Sequence, residues 1–277
     1  DASNTVVDLQ GGLQEAANYA KLVYGNDADT DSIIGDLFSS LSIKPDGDDL
    51  LLTVAIDSEI NLDEGEINRN EDEKSTQTEI LLANLAKKNI KVGWKRFPGY
   101  DVTAAGARIA AYLRGESGSF HDLDPKAIAA LYAADRVAQT EEIETLLVEN
   151  DVVIFDRGVT SNLIYTPARA KSEAEAKDLI SFVESLEYQL NGFPKESLVL
   201  FLDASPEARE KIHAAKGRTT DLHESDNEYL AKVRAVALDR CATDFKWQKL
   251  SVDTNGELKR RDELGTVILD LVLEKLQ

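Results

Sequence analysis

The chain has 277 residues, 43% of them apolar, and 51 acids against 31 bases give a formal net charge of −20. That length can bury a proper core as one α/β domain with an appendage, and no apolar run approaches the roughly 18 residues of a membrane span. The acidic field repels nucleic acid and anionic lipid, so neither a nucleic-acid partner nor membrane insertion is expected.

No methionine occurs anywhere in the sequence, which we read as removal of an initiator or a longer leader. Residues 1–48 form a separate unit in this reading. Two short helix-like stretches, Val6 to Tyr24 and Asp31 to Ile43, flank the polar turn Gly25-Asn26-Asp27, and Lys44-Pro45-Asp46-Gly47-Asp48-Asp49 reads as a linker. From residue 49 the pattern changes to short apolar runs alternating with amphipathic segments, the signature of βαβ units.

Five strands are predicted, Leu50–Asp57, Ile90–Phe97, Asp151–Asp156, Leu198–Asp203 and Trp247–Val252, each apolar enough to lie between helix layers of a parallel sheet. Asp124-Pro125 predicts a cap and first turn for one long helix to about Glu149, and Ser205-Pro206 does the same for a helix to about Ala215. Ser225-Asp226-Asn227-Glu228 reads as a capping box. Cys241, the single cysteine, excludes a disulfide framework and fits an intracellular reducing compartment, cytoplasm or organelle matrix. Asp57, Asp156 and Asp203 each end a strand, where open parallel sheets bind ligands, although aspartate is also common in such loops for turn chemistry alone.

Lys74-Ser75-Thr76-Gln77 opens a helical segment carrying Ile80, Leu81, Leu82 and Leu85. A lysine followed by a hydroxyl residue at a helix start is the distal half of a phosphate-binding loop, in which ammonium and backbone N–H groups cradle phosphate and the hydroxyl holds magnesium. Between Asp57 and Lys74 lie seven acids and one base, Arg69. This insert, about 58–73, reads as a solvated hairpin around Asp63-Glu64-Gly65; a metal site is the alternative, though the acids follow no EF-hand spacing.

Further motifs follow in order: Arg96-Phe97-Pro98-Gly99-Tyr100-Asp101, Tyr112-Leu113-Arg114-Gly115, Leu131-Tyr132-Ala133-Ala134-Asp135-Arg136, and Asp156-Arg157 with Ser161-Asn162-Leu163. Gly192-Phe193-Pro194, Asp203-Ala204-Ser205-Pro206-Glu207 and the run from Gly217-Arg218 through His223 to Asp226 complete them. In order and spacing these resemble the thymidylate kinase family over about residues 50–275. The resemblance implies a P-loop-kinase-like three-layer α/β fold on a parallel five-stranded sheet, with Mg-ATP and dTMP as substrates and a possible homodimer.

By the same resemblance Lys74, Arg157 and Arg218 would be catalytic. Lys74, Ser75 and Asp156 would bind phosphate or magnesium. Phe97, Tyr132, Arg136 and Asn162 would bind the nucleoside, with Tyr132 stacking on the base and Arg136 at its edge. Arg218 and Lys216 fall in the lid-like segment. On periodicity alone Tyr132 equally suits the core, and Arg218 suits a solvated surface.

The pattern departs from the family at several places. Asn68 and Glu73 stand where the loop glycines belong, and a carboxylate about 5 Å from a phosphate costs roughly 3 kcal/mol at an effective dielectric of 20. Gly99 and Tyr100 stand where members carry an arginine, Gly158 where tyrosine is usual, and Thr166-Pro167 interrupts a helix. Two readings follow. In one the chain is a catalytically weak or inactive structural or assembly subunit, with residues 1–48 and the acidic insert as docking elements and no cofactor. In the other it is a working dTMP kinase that transfers the ATP γ-phosphate to dTMP.

Overall fold

The computed structural model describes residues 52–57, 77–116, 123–216, 223 and 226–277. Five strands form one parallel sheet: β1 (Leu52–Asp57), β2 (Val92–Arg96), β3 (Val152–Asp156), β4 (Leu198–Asp203) and β5 (Trp247–Ser251), in the order β2-β3-β1-β4-β5. All five expected strands are present; among the described residues their ends differ from the expectation by up to two residues. Every residue of β3 and β4 is buried, as a strand covered on both faces requires. Register places Ala55 of β1 between Phe155 of β3 and Val199 of β4.

Helices cover both faces. On one side α1 (Gln77–Lys87) buries Leu81 and Leu85, the two best-placed members of its predicted apolar stripe. They pack in one cluster with Leu264, Ile268 and Val272, which lie on the C-terminal helix Arg261–Lys275. Truncating such a leucine to alanine costs about 2–5 kcal/mol. On the other side lie α2 (Ala104–Leu113) and α3 (Pro125–Val137), joined by packing of Ile109 and Leu131. Asp124 caps α3 as expected, accepting from Lys126 N at 2.9 Å with Pro125 at the first position.

The single long helix expected from 124 to 149 is instead two, α3 and α4 (Thr140–Glu149). Gln139 leaves helical geometry at φ −116° and ψ 14°, and its Nε2 donates to the Asp135 carbonyl and carboxylate. Thr140 Oγ1 donates to the Val137 carbonyl, capping the end of α3. Two side chains thus take over carbonyls that a continuous helix would have satisfied through its backbone.

After β3 come α5 (Val159–Tyr165), a 3-10 turn at Pro167–Arg169, and α6 (Glu173–Glu184), which runs into a π turn at Ser185–Leu190. The 3-10 turn is the local consequence of Thr166-Pro167: proline has no N–H to continue α5. Two helices flank β5 and β4: α7 (Pro206–Lys216), whose first turn is capped by Ser205 Oγ accepting from Ala208 N, and α8 (Asn227–Thr243). The cap of α8 is Asp226, which accepts from Tyr229 N at 2.9 Å, not the expected Ser225. The Glu228 carboxylate pairs with Lys232 one turn on. A two-stranded ribbon, β6 (Asp253–Thr254) with β7 (Glu257–Leu258), precedes α9 (Arg261–Lys275). No helix among the described residues is long and apolar enough to cross a membrane. The expectations for residues 1–48 and for the acidic insert lie outside the described residues.

Candidate functional site

Where the carboxyl end of β2 runs into the loop before α2, the chain must bend sharply across the end of the sheet. Asp135, wholly buried on α3, fixes that bend by accepting from Gly99 N at 3.0 Å, from Gln139 Nε2 and from Thr103 Oγ1. Gly106 of α2 sits against the same bend: a Cβ there would lie 2.0 Å from the Gly99 carbonyl oxygen, so any side chain would push the helix off the loop. Held this way, Phe97, Pro98 and Tyr100 form one wall of a cleft enclosing about 810 Å3 of empty space, part of it open to solvent. Tyr132 and Arg136 of α3, Arg157, Asn162 of α5 and Tyr229 of α8 contribute to the other walls. A largely apolar cleft of this size with a few convergent polar groups is the usual form of a small-molecule site.

Arg136 is 2% exposed and is gripped by Glu187 of the π turn, which is fully buried. Its Nε donates to Glu187 Oε2 at 3.0 Å and its Nη2 to Oε1, a bidentate pair, while its guanidinium carbon lies 5.9 Å from the Phe97 ring centroid. Burial opposes the charge of Arg136, but Glu187 foremost, with Asp135 and Glu196 adding to it, outweighs that cost and the pKa is raised. Asn162 is equally committed: Nδ2 donates to the Ala129 carbonyl at 3.0 Å and to Glu187 Oε1 at 2.9 Å, and Oδ1 accepts from Thr166 Oγ1. Behind them Glu196 is buried with its pKa pushed up to about 7 by desolvation, against the hydrogen bond it accepts from Tyr188 OH at 2.7 Å. Its Oε1 has no hydrogen-bond partner among the described residues.

The opposite end of the cleft is basic and aromatic. Arg157 follows β3 with φ +64°, a left-handed conformation that costs an ordinary residue about 1 kcal/mol or more, and its N–H donates to the Ile56 carbonyl. The guanidinium lies 5.9 Å from the Tyr165 ring centroid. His223 stacks on Tyr165 with centroids 5.6 Å apart, meets Tyr112 and Tyr229 edge-on, and shares a 2.9 Å hydrogen bond with Tyr112 OH. Burial, then Arg169 and Arg157, push the His223 pKa down to about 3, so the imidazole is neutral at physiological pH. The two ends therefore differ: at one an arginine is cancelled by a carboxylate, and at the other two arginines face a neutral histidine.

The cleft brings together Phe97, Tyr132, Arg136, Arg157 and Asn162 of the residues singled out from sequence. Tyr132 is half-buried, lining the cleft and also packing against the cores beside α2 and α8. Asp156 and Asp203 do not line it. Asp156 is buried at the end of β3 with its carboxylate 3.3 Å from Arg96 Nε. Asp203 is held by Arg234 through Nε at 2.5 Å and Nη2 at 3.0 Å, which corrects the expectation that all three strand-end aspartates point into one crevice: a neighbouring guanidinium turned it into a structural anchor. Lys74, Ser75, Arg218 and the side chains of Asp57 and Lys216 lie outside the described residues. Among the described residues no group of three or more acids, histidines or cysteines could hold a metal ion.

Sequence reasoning missed Glu187, Arg169, Tyr165 and Tyr229 as parts of this site. For Tyr165 the signal was available, since it stands one turn after Ser161-Asn162 on the same short helix. Nothing local marks Glu187, because its role exists only through partners on α3 and α5.

A parallel sheet of this order with helices on both faces and a ligand cleft at the carboxyl ends of its strands defines the P-loop-kinase-like class of α/β protein. Residues 74–262 match the family model described as thymidylate kinase, and the chain belongs to that family. A thymidylate kinase of Mycobacterium tuberculosis is 30% identical over 189 residues, covering 66% of this chain and 87% of that protein. One from Caenorhabditis elegans is 28% identical, covering 65% and 78%. A solved thymidylate kinase structure from Candida albicans superposes with a TM-score of 0.57 at 21% identity, covering 82% of this chain and 93% of that one, and so shares the fold.

Proposed function

We propose that the cleft binds dTMP, with the base toward Arg136 and the phosphate toward Arg157, and that transfer from Mg-ATP is weak or absent. The observation that carries the reading is the contrast between an assembled acceptor cleft and a donor loop carrying Asn68 and Glu73 where close phosphate approach needs glycine. The family match begins at Lys74 and leaves out the acidic stretch before it, which supports the same reading. On the acceptor side a planar guanidinium suits a phosphate, and the aromatic walls suit a pyrimidine ring. A chain of this kind would serve as a subunit of a larger assembly, docking through residues 1–48 and the acidic insert.

The second reading, a working dTMP kinase, is favoured by the placement of Lys74-Ser75 just ahead of α1. Transfer of label from γ-labelled Mg-ATP to dTMP separates the two. The first reading expects turnover below about 0.01 s−1, two orders of magnitude under the slow end of kinases. Turnover on the order of 1 s−1 returns the chain to the active kinases.

A further inference from the structure

The residue that organises one end of the cleft does not itself line it. Glu187 lies on the π turn after α6, 51 positions from Arg136 and 25 from Asn162. Its Oε1 accepts from both of those residues and its Oε2 from Arg136 alone, while its own carbonyl accepts from Phe193 N at 2.9 Å. The π turn is what brings the carboxylate inward, since such a turn shifts the residues after it around the helix axis and commonly marks a functional position. A buried pair of this kind contributes little net stability over apolar residues of the same shape, so stability alone does not account for it. What the pair does change is the charge offered to a ligand.

We propose that Glu187 is a positioning and specificity residue: it locks Arg136 and Asn162 into one hydrogen-bonded unit and cancels the arginine's charge, so that this end of the cleft accepts an uncharged base and rejects an anionic one. The inference rests on the proposed binding of dTMP. Three observations support the charge argument. Arg136 lines the cleft although two of its nitrogens are committed to Glu187, so the ligand meets a donor fork rather than a free cation. The other acid beside it on α3, Asp135, acts on Arg136 only through space, its oxygens being bonded to Gly99, Thr103 and Gln139, so Glu187 is the stronger counter-charge and the one in direct contact. At the far end Arg157 and Arg169 line the cleft beside a neutral His223 among the aromatic rings, so two cations stand at the end opposite the Arg136–Glu187 pair. Without the Glu187 carboxylate, the guanidinium at the base end would hold an anionic base as readily as a neutral one. Glu187 removes that ambiguity.

The test measures, for the full chain and two variants, the affinities of dTMP and of 5-carboxy-dUMP, which carries a carboxylate where dTMP carries a methyl group. The unaltered chain is expected to prefer dTMP. Glu187→Gln keeps the shape but removes the one carboxylate in contact with Arg136, and the preference is expected to narrow by about tenfold or more, with 5-carboxy-dUMP gaining while dTMP loses. Glu187→Asp keeps the charge on a shorter arm and retains a folded site if the glutamine variant does not; it is expected to weaken both ligands while leaving their ratio within about threefold of the unaltered chain. Equal losses for both ligands in Glu187→Gln, or a narrowed preference in Glu187→Asp, overturn the inference and reduce Glu187 to a packing role. Failure of the unaltered chain to bind dTMP at all overturns the reading of the cleft and this inference with it, whereas binding with no change of preference in Glu187→Gln overturns the inference alone.

Discussion

Two arginine–carboxylate pairs sit near the carboxyl ends of the strands, and they do different things. Arg136–Glu187 is 2% and 0% exposed, and its carboxylate also holds Asn162. Arg234–Asp203 has the same bidentate geometry, but the guanidinium is 31% exposed and the pair ties α8 to the end of β4 without reaching the cleft. The same chemistry is therefore a site component in one place and a clamp in the other. What separates them is the solvent left around the arginine and the number of further groups that depend on the acid.

Breaking each pair puts a size on that difference. Arg136→Ala leaves the Glu187 carboxylate buried beside Asn162 with its main cation gone, and is expected to destabilise the fold by about 3–5 kcal/mol. Asp203 is buried too, but Arg234→Ala removes a partly exposed side chain whose space water can enter to solvate the carboxylate, and is expected to cost about 1–2 kcal/mol. Lys177→Ala, which breaks a fully exposed helical pair with Glu173, serves as the control and should leave the melting temperature close to that of the unaltered chain. Chemical denaturation of the three variants checks the order, and equal losses for Arg136→Ala and Arg234→Ala would show that burial does not decide it.

Glu196 sharpens the comparison, because it lies behind the buried pair and titrates. Its folded pKa, about 7, is raised above the unfolded carboxyl value of 4.5. A group raised in this sense stabilises fully at pH below the unfolded value, and that contribution is lost as pH rises through 7. Glu196→Gln, an amide that cannot ionise, should therefore be more stable than the unaltered chain at pH 8, by on the order of 1–3 kcal/mol, and indistinguishable from it at pH 4. Denaturation at the two pH values reads the difference. A variant less stable at pH 8 would mean that the carboxylate is satisfied when charged.

Most of the fold could be read from sequence because it depends on patterns that are local. Runs such as Val152–Phe155 and Leu198–Leu202 are apolar throughout and rich in β-branched or aromatic residues, as strands in the middle of a covered sheet are. Asp124-Pro125 and Ser205-Pro206 carry their cap chemistry within four residues. The break at Gln139 was hidden because its cause, a side chain reaching Asp135 where that acid also holds the Gly99 loop, is a tertiary arrangement. Glu187 was hidden more deeply: Ser185-Leu186-Glu187-Tyr188 reads as the solvated edge of an amphipathic helix, and only the π turn and Arg136 make that acid interior. Asp203 shows the converse, a strand-end aspartate placed where ligands bind and then claimed by Arg234. His223, quoted only as part of a lid-like run, carried no local sign that three aromatic rings would enclose it.

The central claim is that the acceptor side of the cleft binds while the donor side does not, and calorimetry of the full chain with each ligand separately tests it most directly. With magnesium at physiological salt, dTMP is expected to bind at least about tenfold more tightly than ATP, because stacking and the Arg157 guanidinium do not depend on the loop before Lys74. Micromolar binding of Mg-ATP with no detectable binding of dTMP at millimolar concentration would contradict it.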